Sequence, residues 1–158
     1  MPSRRTIPLT DEAATQALGR ALAQLAQPGD VILLNGTLGM GKSTLARALI
    51  QSLMGEEEEV PSPTFTLVQT YDSDLANVWH FDLYRLEQPE DAFELGIEEA
   101  FIDGISLIEW PDRLGPYLPR QYLSLELDQG PTPGSRTALL VAHGQWEDRL
   151  PELDLPGE

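Results

Sequence analysis

Apolar positions along this chain switch repeatedly between helical and strand spacing. Leu18, Leu22 and Leu25, with Ala14 and Ala21, share one face at helical spacing, which predicts a helix from Asp11 to about Ala26. Thr10 is a good N-cap for it, and Asp11 and Glu12 suit the positive end of the helix dipole. Gln27-Pro28-Gly29-Asp30 ends the helix and turns the chain. Val31–Leu34 is then continuously apolar, the pattern of a strand buried on both faces. Leu45, Leu49 and Leu53 restore helical spacing until Gly55.

Further on, strand patterns prevail. Thr6–Leu9 reads as a short edge strand, where the missing donor of Pro8 costs little. Phe65–Tyr71 and Val78–Tyr84 flank a polar turn and read as a β-hairpin. Glu90–Phe101 predicts one or two short helices around Gly96. Ile105–Glu109 is a second apolar strand, and a short helical or loop segment runs from Trp110 to about Pro119. Gln121–Leu127 and Arg136–His143 are strands on either side of the turn Gly130–Gly134. Strands interleaved with helices predict an α/β fold, with a sheet that the hairpin makes mixed, though mostly parallel. Residues 1–144 read as a single domain, and 145–158 as a polar, proline-containing tail expected to fray beyond a helical turn.

Composition narrows this only a little. A chain of 158 residues suffices for one α/β core. No stretch approaches the length of a membrane span, Met1–Arg5 lacks a signal-peptide core, and there is no cysteine, so a cytoplasmic location is expected. The formal charge of −16 opposes direct binding of a nucleic-acid backbone, so any role near RNA should pass through a partner. The oligomeric state leaves no trace in the sequence.

The chemistry concentrates between Val31–Asn35 and Thr44–Leu53. Gly36-Thr37-Leu38-Gly39-Met40-Gly41-Lys42-Ser43 is G-x-x-x-x-G-K-[ST], with a strand before it and a helix after it. Glycines let backbone N–H groups approach phosphate oxygens, and the helix N-terminus adds its dipole. Lys42 is the only lysine in the chain, and it suits β- and γ-phosphates, while the Ser43 hydroxyl suits Mg²⁺. The reading is a P-loop NTPase-type three-layer sandwich. Such a loop requires an acid at a nearby strand end, to place the metal or orient a water. Glu109 and Asp82 both qualify. Thr64, between Pro63 and Phe65, suits a γ-phosphate sensor or a plain turn. His80 reads as a packed strand histidine, and Trp79 and Trp110 as core or rim aromatics.

Four motifs stand in register: Asn35–Thr44, Ser62-Pro63-Thr64-Phe65, His80-Phe81-Asp82-Leu83-Tyr84-Arg85 and Ile108-Glu109-Trp110-Pro111. Together they closely resemble the small bacterial ATPase of tRNA threonylcarbamoyladenosine biosynthesis, the TsaE family, from about Ile7 to Val141. The resemblance implies that Gly39, Met40, Gly41, Lys42, Ser43 and Thr44 hold the phosphates of ATP, and that Ser43 and Glu109 ligate Mg²⁺. It implies roles in turnover for Asp82 and Trp110 and a switch-like loop at Thr64. Glu12 and Arg136 fall where the family contacts the far end of the nucleotide. Thr37, Met40 and Ser43 depart from the family's usual aspartate, alanine and threonine, though Ser43 keeps the hydroxyl.

The resemblance further implies partners of kinase-like fold, which install threonylcarbamoyl on adenosine 37 of ANN-decoding tRNAs. ATP hydrolysis would reset that complex between turnovers, and tRNA would be met only indirectly. A small-molecule P-loop kinase with Asp82 as general base is the alternative, but no arginine-rich lid is visible among the nine scattered arginines. A nucleotide-gated module without turnover is a further option. A guanine-recognising N-K-x-D motif is absent from the sequence.

Overall fold

The protein is described by a computed structural model covering residues 3–36, 41–55, 59–61, 63 and 66–155. Strand β1 (Ser3–Leu9) and helix α1 (Glu12–Leu25) open the chain, followed by β2 (Val31–Asn35) and α2 (Lys42–Met54). The hairpin β3 (Val68–Asp72) and β4 (Asn77–Asp82) leads through a 3₁₀ segment to α3 (Ile97–Asp103) and β5 (Ile105–Glu109). After a second 3₁₀ segment, β6 (Tyr122–Gln129) and β7 (Arg136–His143) precede the short helix α4 (Trp146–Arg149).

These strands form one seven-stranded sheet in the order β1-β7-β6-β2-β5-β4-β3. The four central strands, β6, β2, β5 and β4, run parallel, and antiparallel pairs close both flanks. The parallel centre needs apolar cover on both faces, and it has it. On one face Ile32, Leu34, Leu107 and Leu125 pack with Leu18 and Leu22 of α1 and Leu45 and Leu49 of α2. On the other, Val31, Leu33, Phe81 and Ile108 pack with Ile97 and Ala100 of α3 and with Leu114. The α/β three-layer sandwich is therefore observed.

Two local details differ from the sequence reading. The N-cap of α1 is Asp11, one residue later than expected, because its carboxylate accepts the N–H of Ala14 at 2.8 Å. A carboxylate there satisfies an orphan donor and meets the helix dipole at once.

The tail is the larger correction. Residues 145–155 do not fray. Trp146, Leu150, Leu153 and Leu155 are buried in the same core as the apolar faces of α1 and α2. Arg149 joins them with two bonds of 2.6 Å to the carboxylate of Asp30, and its guanidinium lies 4.1 Å from the Trp146 ring. It also donates to Leu25 O at 2.8 Å, and Arg5 donates to Leu153 O at 2.8 Å. The tail's apolar residues are too few and too interrupted by charge to show a period, yet the sheet edge leaves a place for each.

Candidate functional site

All four parallel strands end on the same side of the sheet, and that end is where the expected chemistry gathers. Parallel pairing sets Asp82 of β4 in register with Glu109 of β5, and Leu34 of β2 with the same Glu109. The two carboxylates thus sit side by side at the mouth of the sheet, both buried. Gly36 follows β2 at φ 137°, where a Cβ would lie 2.6 Å from the carbonyl oxygen of Leu127. Gly41, at φ 95°, caps α2 in the left-handed region. Each position requires glycine, one for close approach and one for backbone sign.

Lys42 is the first residue of α2 and only 5% exposed. Its ammonium has no hydrogen-bond acceptor among the described residues. Its Nζ stands over the Trp110 ring, 4.0 Å from the centroid. Burial pushes the Lys42 pKa below its ordinary value; the negative charges of Glu109, Asp82 and Asp112 pull the other way without overcoming it. A desolvated cation with carboxylates near it but no hydrogen-bonded acceptor is an incomplete arrangement. An incoming oxyanion would complete it.

Trp110 owes its position to strain. Its backbone stands at φ 58°, ψ 52°, a left-handed conformation rare outside glycine and asparagine. The ring also packs against Tyr84 at 4.9 Å between centroids, and the Arg113 guanidinium lies 5.9 Å from the Tyr84 ring. A cavity of about 240 Å³ opens beside this stack, lined by Asn35, Gly36, Lys42, Trp110, Asp112 and Glu126, with Leu34 and Asp128 completing it.

Of the expected residues, Lys42, Asp82, Glu109 and Trp110 are brought to this one end of the sheet. Gly41 caps the helix that carries Lys42; Ser43 is exposed and Thr44 half-buried in its first turn. Glu12 lies exposed in the first turn of α1, and Arg136 opens β7, opposite Leu9. These last two stand toward the β1–β7 flank and do not line the cavity beside Lys42. Gly39, Met40 and Thr64 lie outside the described residues.

The sequence reading missed three carboxylates and a histidine. Asp112, Glu126 and Asp128 line the cavity. His80, read as a packing residue, holds Glu109: His80 Nε2 and Glu109 Oε2 are 2.8 Å apart in a buried contact. One signal was available. His80 precedes Asp82 by two positions, so on a strand both point to the same face.

The carboxylates of Asp82 and Glu109 at this end are hard oxygen donors, as is the Ser43 hydroxyl in the first turn of α2, and such donors suit Mg²⁺ or Ca²⁺ rather than a soft metal. Among the described residues there is no cluster of three or more His, Cys, Asp or Glu able to hold a metal alone. Magnesium fits such a site, since it is commonly held by one or two carboxylates together with substrate phosphates.

A family model, that of the threonylcarbamoyl adenosine biosynthesis protein TsaE, matches residues 9–137. The chain belongs to the TsaE family. A Rickettsia felis protein named tRNA threonylcarbamoyladenosine biosynthesis protein TsaE is 41% identical over 120 residues, 76% of this chain and 70% of the relative. A Nostoc TsaE is 41% identical over 135 residues, covering 82% and 81% of the two chains. The Bacillus subtilis TsaE is 36% identical over 112 residues, covering 70% and 69%. The crystal structure of Bacillus subtilis YdiB superposes with a TM-score of 0.80 at 26% identity, over 96% of this chain and 94% of that one. The TsaE match takes in every candidate site residue named above, from Glu12 to Arg136, and stops short of the packed tail.

Proposed function

We propose that this TsaE-family chain is a Mg²⁺-dependent ATPase whose turnover drives the threonylcarbamoyl-transferase complex in tRNA threonylcarbamoyladenosine biosynthesis. The observation that carries the reading is the buried, acceptorless ammonium of Lys42 at the start of α2, beside the carboxylates of Asp82 and Glu109. A polyphosphate supplies the missing oxyanion. The glycines before Lys42 and the first N–H groups of α2 bind its oxygens, with Gly39, Met40, Gly41 and Thr44 completing the cradle.

Charge balance argues for the metal. Asp82, Glu109 and Asp112 act on Lys42, and Glu126 and Asp128 line the cavity beside it. A nucleotide adds still more negative charge to an acidic wall, so a divalent cation offsets what one lysine cannot. Ser43 and Glu109 are the residues that would hold it, and it would neutralise charge developing on the β- and γ-phosphates. Asp82 orients the attacking water, whose oxygen forms the new bond to the γ-phosphorus as the β–γ bridging bond breaks. ADP leaves with the bridging oxygen, and the water's proton passes to the carboxylate or to solvent. Thr64 senses the γ-phosphate, while Glu12 and Arg136 serve the nucleotide's far end.

The partners are the kinase-fold subunits of the transferase, and tRNA is met only through them. The charge of −16 supports this, since an acidic protein docks on a basic partner more readily than on RNA. A cytoplasmic location goes with this role. Among the described residues no helix is long and apolar enough to cross a membrane. The deciding measurement is phosphate release from ATP by the chain alone and with the transferase subunits added. Slow release that rises on their addition, and vanishes in Lys42→Ala, is expected. Phosphate transfer to a small metabolite without any partner effect would replace this reading with a kinase.

A further inference from the structure

Glu109 is a buried carboxylate at a strand end, and nothing in β5 itself fixes its rotamer. A glutamate has three side-chain torsions, and a ligand that wanders among them loses much of its affinity to ordering entropy. The structure supplies the missing constraint from the neighbouring strand. β4 and β5 pair in parallel, with His80 opposite Leu107 and Asp82 opposite Glu109. His80, Asp82, Leu107 and Glu109 therefore share one face, with His80 one pleat behind the carboxylate pair. From there its Nε2 reaches Glu109 Oε2 at 2.8 Å, and both side chains are almost wholly removed from solvent.

A metal-ligating Glu109 is ionised, which sets the direction of this contact. A carboxylate accepts and cannot donate, so the proton must sit on Nε2. Nδ1 is buried without a partner among the described residues. The histidine thus spends its one useful bond on Glu109 and gains nothing from its other nitrogen. A residue kept only for packing would be better replaced by an apolar side chain, which leaves no orphan. The contact engages only one of the two carboxylate oxygens, Oε2.

We infer that His80 is a positioning residue for the metal ligand: its Nε2–H clamps Glu109 Oε2 and so fixes the rotamer in which Glu109 would meet a magnesium ion. The inference rests on the reading of Glu109 as a Mg²⁺ ligand. It assigns a use to a buried histidine that the catalytic scheme above leaves idle. Hydrogen bonds of this kind behind a metal ligand typically change metal affinity by about 10–100-fold.

The test is Mg²⁺ titration of binding of a fluorescent ATP analogue to the full chain, alongside binding in EDTA. His80→Gln places an amide N–H near the Nε2 position, His80→Asn places it too far back, and His80→Leu removes it. Half-saturating Mg²⁺ should rise about tenfold or more in the Asn and Leu variants and stay within about threefold of wild type in the Gln variant. Binding in EDTA should be the same in all four proteins, which a general loss of structure would not allow. Should His80→Leu fail to fold, the contrast between Gln and Asn still decides. Equal Mg²⁺ dependence in Gln and Asn, or parallel losses with and without metal, overturns the clamp. Glu109→Gln separates the two layers of the argument. If it leaves the Mg²⁺ dependence unchanged, Glu109 is not the ligand and both readings fall. If it shifts the dependence while the histidine variants do not, only the clamp falls. With both holding, His80→Asn should add no further shift to Glu109→Gln.

Discussion

The Lys42 ammonium lies 4.0 Å from the centroid of the Trp110 ring, although 68 positions separate them in the chain. The ring is a weak counter-charge, worth about 0.5–2 kcal/mol to a cation, well below what a phosphate oxyanion offers in a buried site. Nucleotide therefore competes with the indole for the ammonium and should win. Trp110 emission should change when Mg²⁺ and ATP are added, and Trp110→Phe should remove that change while Trp79 and Trp146 remain. An unaltered emission spectrum in wild type at saturating nucleotide would contradict the contact's role.

Lys42→Met should abolish nucleotide binding and yet leave the ligand-free protein equally or more stable. Burial depresses the Lys42 pKa, so the unfolded chain binds that proton more tightly than the fold does. The sign follows. This group's contribution to stability rises with pH between its lowered folded value and its ordinary value of 10.5, and is unfavourable below that window. Methionine keeps the stem and removes the charge, so the wild-type rise in melting temperature across that window should flatten in the variant. Thermal denaturation between neutral pH and pH 10 reads both effects.

Arg149→Ala should cost about 3–5 kcal/mol in urea unfolding, because it strands the buried carboxylate of Asp30. That carboxylate also accepts the N–H of Gln27 at 2.7 Å, so the loop leading into β2 loses an anchor as well. Replacing both partners by apolar residues should cost less than the single change. Deletion of 145–158 should be at least as damaging as Arg149→Ala, since it also uncovers the core around Trp146.

Gly19→Ala is a further probe, because α1 and α2 nearly touch there. A Cβ on Gly19 would stand 2.7 Å from the carbonyl oxygen of Leu45 and 2.9 Å from the Cβ of Ala48. The obstruction is backbone and cannot rotate away. Alanine gains about 0.5–1 kcal/mol in helix propensity, against about 1–3 kcal/mol for forcing the helices apart. The net effect should be a loss of stability, and weaker nucleotide binding with it, since α2 begins at Lys42. Calorimetric melting and analogue binding on the same variant would show whether the two losses travel together.

Local patterning carried much of the architecture. The stripe at Leu18 and Leu22, the run Val31–Leu34, the hairpin strands and the glycines around Lys42 each announce their element, because a helix period, a strand period and a positive φ are properties of neighbouring residues. Strand ends were legible too, so Asp82 and Glu109 could be named as acids before their register was known. Contacts between distant segments were not legible. Parallel pairing of β4 with β5 makes His80 a neighbour of Glu109, and the left-handed backbone at Trp110 turns its ring over Lys42. No local period encodes either. The tail shows the same division: Trp146, Arg149, Leu150 and Leu153 read as a polar end until the fold supplies Asp30 and a sheet edge to receive them. Sequence decided which elements form and where the phosphate chemistry begins; long-range packing alone decided which side chains face one another there, because burial and register belong to the assembled sheet and not to any single segment of the chain.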